Sequence, residues 1–538
     1  MKPFGFRYFA TRSPDAVAVI DPSGREWTRG ALLDLVDRTA GALVAAGLAP
    51  GDAIAIVAPN CAEFLAAHLA GLAAGLYVVP VNWHLAAPEI QYILSNSGAK
   101  VVFAHARLGA RRLAAIGSSD IVRVALGDAD GFVPLEHFSG APAHLAVQRP
   151  VGRVLAYTSA TTGRPKAVRL PLEGASRARA KFVAWHRSLG VEIESGHVHL
   201  VSSMLYHAAP LDGAVVALEM GHRVVLMDGW EPRSLLQTID DRGVTTAFMV
   251  PTMFVRLLKL PEDVRRRYST ATLKFVIHGG APCPPDVKRR MLAWWGPIIW
   301  ESYGATEVQG CIVSPTEWLE RPGTVGRPIA GSQVKILDAE HRELPPGQIG
   351  RVYLTPHTGE RFEYLRDPKK TAACRHGEFV TVGDRGYLDE DGYLFLVGRD
   401  AELIISSGMN IYPAEIEQVL LAHPAVTDCA VVGAPDELSG EVPEAHVEVA
   451  PGVAAGAELT DELLRFLAQR LSSMKLPRRI EYWAALPRDP NGKLLRRRLK
   501  RAAGGEACEA PAPARMPAIG QRMAQPPESP AERARNGR

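Results

Sequence analysis

Tyr157-Thr158-Ser159-Ala160-Thr161-Thr162-Gly163-Arg164-Pro165-Lys166 is the stretch from which the rest of this chain can be read. A β-prone run, Val154 to Tyr157, leads into it, and a second short apolar run, Ala167-Val168, leads out. Between them lie the hydroxyls of Thr158, Ser159, Thr161 and Thr162, then Gly163, Pro165 and, at the far end, Lys166. Such a loop suits a polyphosphate. Gly163 lets backbone N–H groups converge on oxygens, the hydroxyls donate hydrogen bonds, and the lysine adds positive charge. The same residue types build ordinary polar hairpins, and composition alone favours that plainer reading. Neither Gly-x4-Gly-Lys-Ser/Thr nor Gly-x-Gly-x-x-Gly after a strand is present, which excludes two common phosphate-binding motifs.

Outward from this loop, strands alternate with helical stretches. Upstream, Leu32, Leu33, Val36, Ala40, Leu43 and Val44 predict a helix over 31–47. Ala53 to Val57, Tyr77 to Asn82 and Val101 to Ala104 predict strands. Downstream, strands are predicted at His199 to Ser203, Arg223 to Met227, Thr245 to Val250, Lys274 to His278 and Ile298 to Trp300. Helices such as Leu211 to Met220 fall between them. The alternation predicts an α/β fold with parallel sheets flanked by helices, and such sheets gather ligands at the carboxyl ends of their strands. Tyr206-His207, His278-Gly279-Gly280-Ala281 and Glu301-Ser302-Tyr303-Gly304 all stand at or just after a predicted strand end. From about Gly323, short strands between Gly, Pro and Asp turns predict a small β-rich subdomain. Beyond Arg399 a compact α+β module follows. The predicted domains are 1–399 and 400–501, with a disordered Ala/Pro/Arg-rich tail over 502–538.

At 538 residues the chain is too long for one core. Hydrophobic residues at 47% and charged residues at 22% describe an ordinary globular protein, and a net charge of +3 gives no pointer to nucleic acid. Six scattered cysteines without a C-x-x-C pair argue against zinc or a disulfide framework and fit a reducing, cytoplasmic setting. The start of the chain lacks a signal-like apolar stretch, and no run of about 18 apolar residues predicts a membrane span.

Four further stretches carry chemistry. Tyr303-Gly304-Ala305-Thr306-Glu307, taken alone, reads as a loop entering a helix. Thr381 to Tyr387 places Asp384 before a strand, and Gly398-Arg399 follows the Asp-Glu-Asp-Gly turn at 389–392. The stretch from Ile404 to Glu417 contains Ser406-Ser407-Gly408, and Pro487-Arg488-Asp489-Pro490-Asn491-Gly492-Lys493 presents a lysine on a turn. Arg496-Arg497-Arg498 behind it reads as a solvated helix face. In this order, the five stretches resemble the signatures of the adenylate-forming ligases, which include the acyl-CoA synthetases. The resemblance covers nearly the whole chain except the tail. Three positions depart from it: Ala160 and Ser407 replace common glycines, and Ala401 stands where the family's pivot residue is usually charged.

The resemblance implies a large N-terminal domain and a small mobile C-terminal domain with the site between them. It implies ATP held by Thr158, Ser159, Thr161, Thr162, Gly163, Gly280 and Ala281, with Tyr303 stacked on adenine and Asp384 and Arg399 at the ribose. Thr306 would meet phosphate, and Glu307 would hold Mg2+, which prefers carboxylate and phosphate oxygens. Lys166 would attend the pyrophosphate. Lys493, delivered by domain closure, would bridge the acid and the α-phosphate. After rotation, the Gly408 loop would flank the pantetheine of coenzyme A. The acid pocket is expected from Tyr206, His207, Ala208, His278, Gly279 and Gly310. These are mostly small or apolar, with no cation for a second carboxylate, so the small-molecule carboxylic acid is expected to be an apolar fatty or aromatic one. His207 reads as an aromatic gate rather than a base, whereas His278 reads equally as pocket wall or strand cap. The expected activity is ATP-dependent ligation of this acid to coenzyme A through an acyl-adenylate, releasing AMP and pyrophosphate. Transfer to a carrier protein and a non-catalytic derivative of the fold are the alternatives. No carrier domain follows, which weighs against a built-in carrier, and the oligomeric state stays open.

Overall fold

The computed structural model describes residues 4–117, 121–140, 150–158, 165–172, 175–194, 196–356, 359–407, 409–489 and 494–503. Ser159, Ala160, Thr161, Thr162, Gly163, Gly408, Lys493 and the predicted tail beyond residue 503 lie outside the described residues.

Continuous apolar runs build the parallel cores. Ala53–Val57 is buried at all five positions, as expected of a central parallel strand covered on both faces. It lies in a six-stranded sheet with spatial order Val133–Pro134, Val122–Leu126, Ala99–His105, Ala53–Val57, Tyr77–Val81, Arg153–Val154, with every neighbour parallel. The last of these strands leads into the hydroxyl-rich stretch. There Ala156–Thr158 pairs antiparallel with Lys166–Arg169, so Thr158 stands opposite Lys166. The flanks therefore form a hairpin, and Glu363–Tyr364 adds a third strand beside Lys166–Arg169.

The second sheet has 15 strands. Its first part is parallel through Arg223–Leu226, Val198–Val201, Thr246–Met249, Phe275–His278 and Ile299–Gly304. It then turns antiparallel at Gln309–Val313 and continues through Thr324–Pro328, Leu394–Arg399, Asp384–Leu388 and Gly350–Leu354. This second part is the expected β-rich subdomain, and the α/β architecture stands as read. One boundary differs. The strand expected to stop at Trp300 runs to Gly304, because Glu301, Ser302 and Tyr303 pair with Val313, Ile312 and Cys311. Tyr303 to Glu307 is thus the tip of a β-hairpin and not the entrance to a helix.

The chain changes sheet between Arg399, the last residue of one strand, and Ile404, the first of another. Beyond it a five-stranded sheet carries the long hairpin Val426–Asp436/Gly440–Val449. Leu459, Leu463 and Leu467 repeat every four residues along Ala457–Ala468 and bury one stripe of that helix against Ile416, Leu420 and Val431. Each such burial contributes about 1.5–3 kcal/mol, which gives this region a core of its own. Arg496 corrects the expectation of a solvated basic face. It donates to Glu417 at 2.7 and 3.0 Å and to the Val431 carbonyl at 2.8 Å, pinning helix Arg496–Ala503 to the hairpin. Among the described residues, no helix is long and apolar enough to cross a membrane.

Candidate active site

Asp384 and Arg399 are register partners on adjacent antiparallel strands, so their side chains meet by construction. Arg399 Nε donates to Asp384 Oδ1 at 2.6 Å, and the Tyr303 hydroxyl, reaching over from the neighbouring hairpin, donates to Oδ2 at 2.7 Å. Asp384 is only 5% exposed, so both donors offset a desolvation cost that an unpaired carboxylate would carry. Burial, and then the Asp384 charge, push the Tyr303 phenol well above its ordinary value, which keeps its proton on oxygen. Residues 303, 384 and 399, expected around one nucleoside, are brought together.

A second cluster forms where the quoted hairpin meets the tip at 304–307. Val168 pairs with Tyr364, and this register sets the Tyr364 ring 4.9 Å from Lys166 Nζ. The Tyr364 hydroxyl donates to Glu307 Oε1 at 2.7 Å. Burial, then neighbouring Lys370, pull the Lys166 ammonium down to about 8, while Glu307 opposes the shift. Lys166, Glu307, Tyr364 and Lys370 are thus electrostatic neighbours, with half-buried Thr306 one residue from Glu307. Glu307 Oε2 has no protein partner among the described residues, so this oxygen fits the hard-ligand role expected toward Mg2+. Sequence reasoning missed Tyr364 and Lys370. Nothing local marks them, since only the pairing of residues some 200 positions apart brings Tyr364 to Lys166.

Where the acid is expected, Tyr206 is 6% exposed and its hydroxyl has no hydrogen-bond partner among the described residues. Its ring lies 4.6 Å from that of half-buried His207, and Ala208 opens helix Ala208–Glu219. Burial, and then the Asp489 carboxylate, push the Tyr206 phenol up, so the 487–489 segment of the small module lies within electrostatic reach of this wall. Gly279 and Gly310 are small by necessity. A Cβ would fall 2.6 Å from the Ser302 carbonyl oxygen at the first and 2.9 Å from Leu354 Cδ1 at the second. Gly280 and Ala281 are exposed at the end of Phe275–His278, and Gly280 takes φ +79°. His278 does not line this space. Its fully buried ring packs against Phe254 on the opposite face of the sheet, 3.4 Å from Glu301, which Lys288 pairs at 2.6 Å.

Between the modules, Asp400 accepts from Arg351 at 2.7 Å and Glu402 lies 3.3 Å from Arg496. Exposed Ala401 sits between an acid tied to the large body and one tied to the small module. Ser407 takes φ +48°, the left-handed region where a non-glycine residue costs about 1–2 kcal/mol. Among the described residues, the one group of three possible metal ligands, Glu444, His446 and Glu481, lies on the small module's sheet. His446 Nδ1 there accepts from the Trp483 indole at 2.9 Å.

A large parallel-sheet body, a β-rich flank and a small module make up the architecture, with the polar clusters near strand ends, where such sheets gather ligands. The AMP-binding enzyme family matches residues 6–358, and the AMP-binding enzyme C-terminal domain matches residues 415–493. The chain belongs to this family, the adenylate-forming ligases. It is 35% identical to the fatty acid–[acyl-carrier-protein] ligase ScoC of Streptomyces coeruleorubidus, over 92% of this chain and 94% of ScoC. It is 32% identical to the feruloyl-CoA synthase of an Amycolatopsis species, over 92% and 97% of the two chains. Among solved structures, the amide bond synthetase McbA from Marinactinospora thermotolerans superposes with a TM-score of 0.79 at 26% identity, covering 92% of this chain and 99% of McbA.

Proposed function

We propose that this enzyme activates an apolar monocarboxylic acid as its acyl-adenylate and passes the acyl group to coenzyme A. The observation that carries the reading is the convergence of Tyr303, Asp384 and Arg399 beside the Lys166–Tyr364–Glu307 cluster. The two clusters supply what the two ends of ATP require: an acceptor for hydroxyls at one, and a cation with a hard-ligand carboxylate at the other.

In the first step a carboxylate oxygen bonds the α-phosphorus and pyrophosphate leaves. Two anions must approach, so the barrier is largely electrostatic. Tyr303 and Asp384 orient the nucleoside, Thr306 and the hydroxyls of 158–162 hold phosphate oxygens, and Lys166 neutralises the departing pyrophosphate. Mg2+ on Glu307, when bound, supplies further neutralisation of the phosphates. Lys493 brings the remaining charge between acid and α-phosphate. In the second step a thiol sulfur bonds the acyl carbon and AMP leaves with the electron pair of the broken C–O bond. The small domain, 400–501, turns about Ala401 to exchange Lys493 for the Gly408 loop.

The similar proteins differ by name: a fatty acid–[acyl-carrier-protein] ligase, a feruloyl-CoA synthase and an amide bond synthetase. A carrier protein is therefore the second reading. Acid-dependent pyrophosphate release from ATP, followed by acyl transfer offered in parallel to coenzyme A and to a phosphopantetheinylated carrier, tests both. Lys493→Ala should lose adenylation by about 3 kcal/mol or more, the scale of one deleted transition-state contact. It should still convert supplied acyl-adenylate and coenzyme A to thioester. If both half-reactions fall together, the two-conformation scheme is wrong.

A further inference from the structure

Away from the connecting segment at 399–404, the small module meets the large body at the C-terminal end of helix Pro251–Leu258. Lys259, the residue after that helix, donates from Nζ to the carbonyl of Val426, which opens the first arm of the long hairpin. Val426 is 1% exposed and belongs to the module's own core, so its carbonyl is a fixed point of the module. The apolar surfaces beside this contact do not merge. Leu258 and Val287 pack in a cluster of the body and Leu421 in that of the module, and a gap of about 60 Å3 between them is lined by all three. An interface without a shared core leaves the orientation of its two sides to polar contacts.

The hairpin passes this hold to the segment that carries Lys493. Asp428 accepts from Arg488 Nε at 2.6 Å and from Nη2 at 2.7 Å, a two-pronged pair with both side chains largely buried. Glu448, opposite Asp428 in register, accepts from the Leu486 amide. Arg488 bridges to Leu494, and the Leu495 amide donates to the Pro487 carbonyl at 2.7 Å, so the residues on either side of 490–493 are joined. Asp489, next to Arg488, lies within electrostatic reach of Tyr206 on the body. The two carboxylates that hold 486–488 also face the body's cations. Lys259 is an electrostatic neighbour of Asp428 and Glu448, and Arg256 of Glu448.

We propose that Lys259 is a positioning residue for adenylation: by fixing Val426 and facing Asp428, it sets the register between the body and the Arg488-anchored segment that leads to Lys493. The assignment rests on the adenylation reading above and deepens it, because it names the body residue that holds the small domain in place for the first step. Lys259 acts through Lys493 and takes no part in binding ATP or the acid.

The test uses the full chain with ATP, Mg2+ and octanoate, benzoate or cinnamate, and measures two half-reactions. These are acid-dependent pyrophosphate release, and thioester formation from the supplied acyl-adenylate with coenzyme A or a phosphopantetheinylated carrier. Lys259→Met keeps the aliphatic stem and removes the donor. It should lower kcat for pyrophosphate release roughly tenfold at unchanged KM for ATP, because both nucleotide clusters lie within the body. Thioester formation should not slow. Lys259→Arg, which can still donate to a carbonyl, should restore most of the rate, and Asp428→Asn should act in the same direction as Lys259→Met. In a Lys493→Ala background, followed in single turnovers, Lys259→Met should add nothing, since the residue it positions is gone. An unchanged kcat in Lys259→Met, equal losses in both half-reactions, or a further tenfold loss in the Lys493→Ala background each overturn the role of Lys259 alone. No pyrophosphate release from the unaltered enzyme with any of the three acids overturns the adenylation reading and this assignment with it.

Discussion

The two proposed sides of the site, for nucleotide and for acid, differ in how far the protein itself partners their polar groups. Both carboxylate oxygens of Asp384 are engaged by Tyr303 and Arg399, and one oxygen of Glu307 by Tyr364. Where the acid is expected, the Tyr206 hydroxyl has no partner among the described residues. A group held by its neighbours presents one geometry to every substrate molecule, which suits a cosubstrate that never changes. A group left without a partner contributes only when the incoming molecule completes it, which suits selection among acids.

The most severe way to break this comparison is Asp384→Ala. It strands the Tyr303 hydroxyl and the Arg399 guanidinium together, and bonds to a charged acceptor contribute about 1.5–3 kcal/mol each. We expect kcat/KM for ATP to fall by roughly 30- to 100-fold with little change in the ranking of acids. A changed ranking, or an unchanged ATP dependence in steady-state kinetics, would erase the division of labour. Tyr364→Phe removes one hydrogen bond from Glu307 and keeps the ring under Lys166. It should cost about tenfold in kcat/KM for ATP, expressed mainly as a higher Mg2+ requirement in a magnesium titration. An effect on acid preference instead would place Tyr364 on the other side of the comparison.

The smallest effect concerns protons. Because Lys166 sits near 8 and not at its ordinary 10.5, its positive charge is present below about pH 8 and is lost above it. kcat/KM for ATP, which reports the free enzyme, should be down about twofold near pH 8 and fall further as pH rises. Lys166→Arg, charged throughout this range, should flatten that limb. A limb that persists in the arginine variant would belong to another group.

Residue pattern alone carried the two-domain α/β architecture, because burial on both faces forces continuous apolar strands and helices between parallel strands demand length. The resemblance to the adenylate-forming ligases pointed to Lys166, Tyr303, Thr306, Glu307, Asp384 and Arg399, and the structure gathers Tyr303, Asp384 and Arg399 in one cluster and Lys166 and Glu307 around Tyr364 in another. Residue pattern misjudged what depends on direction. His278 and Ile277 are adjacent in sequence, yet a strand turns them to opposite faces, so the histidine packs against Phe254 and the isoleucine in the cluster of Val216, Phe275 and Trp300. Arg496 looks like one of three solvated arginines until the hairpin at Val426–Asp436 folds over it.

Tyr364 was illegible for the same reason. A tyrosine in a short β-prone run is unremarkable as local sequence, and it acquires its place from a strand pairing between residues 168 and 364. The sequence by itself determined which chemistry the chain carries, because chemistry resides in residue types. Only the tertiary structure decided which polar groups are partnered and which are left for a substrate, because partnership is a matter of distance between segments that the chain keeps far apart.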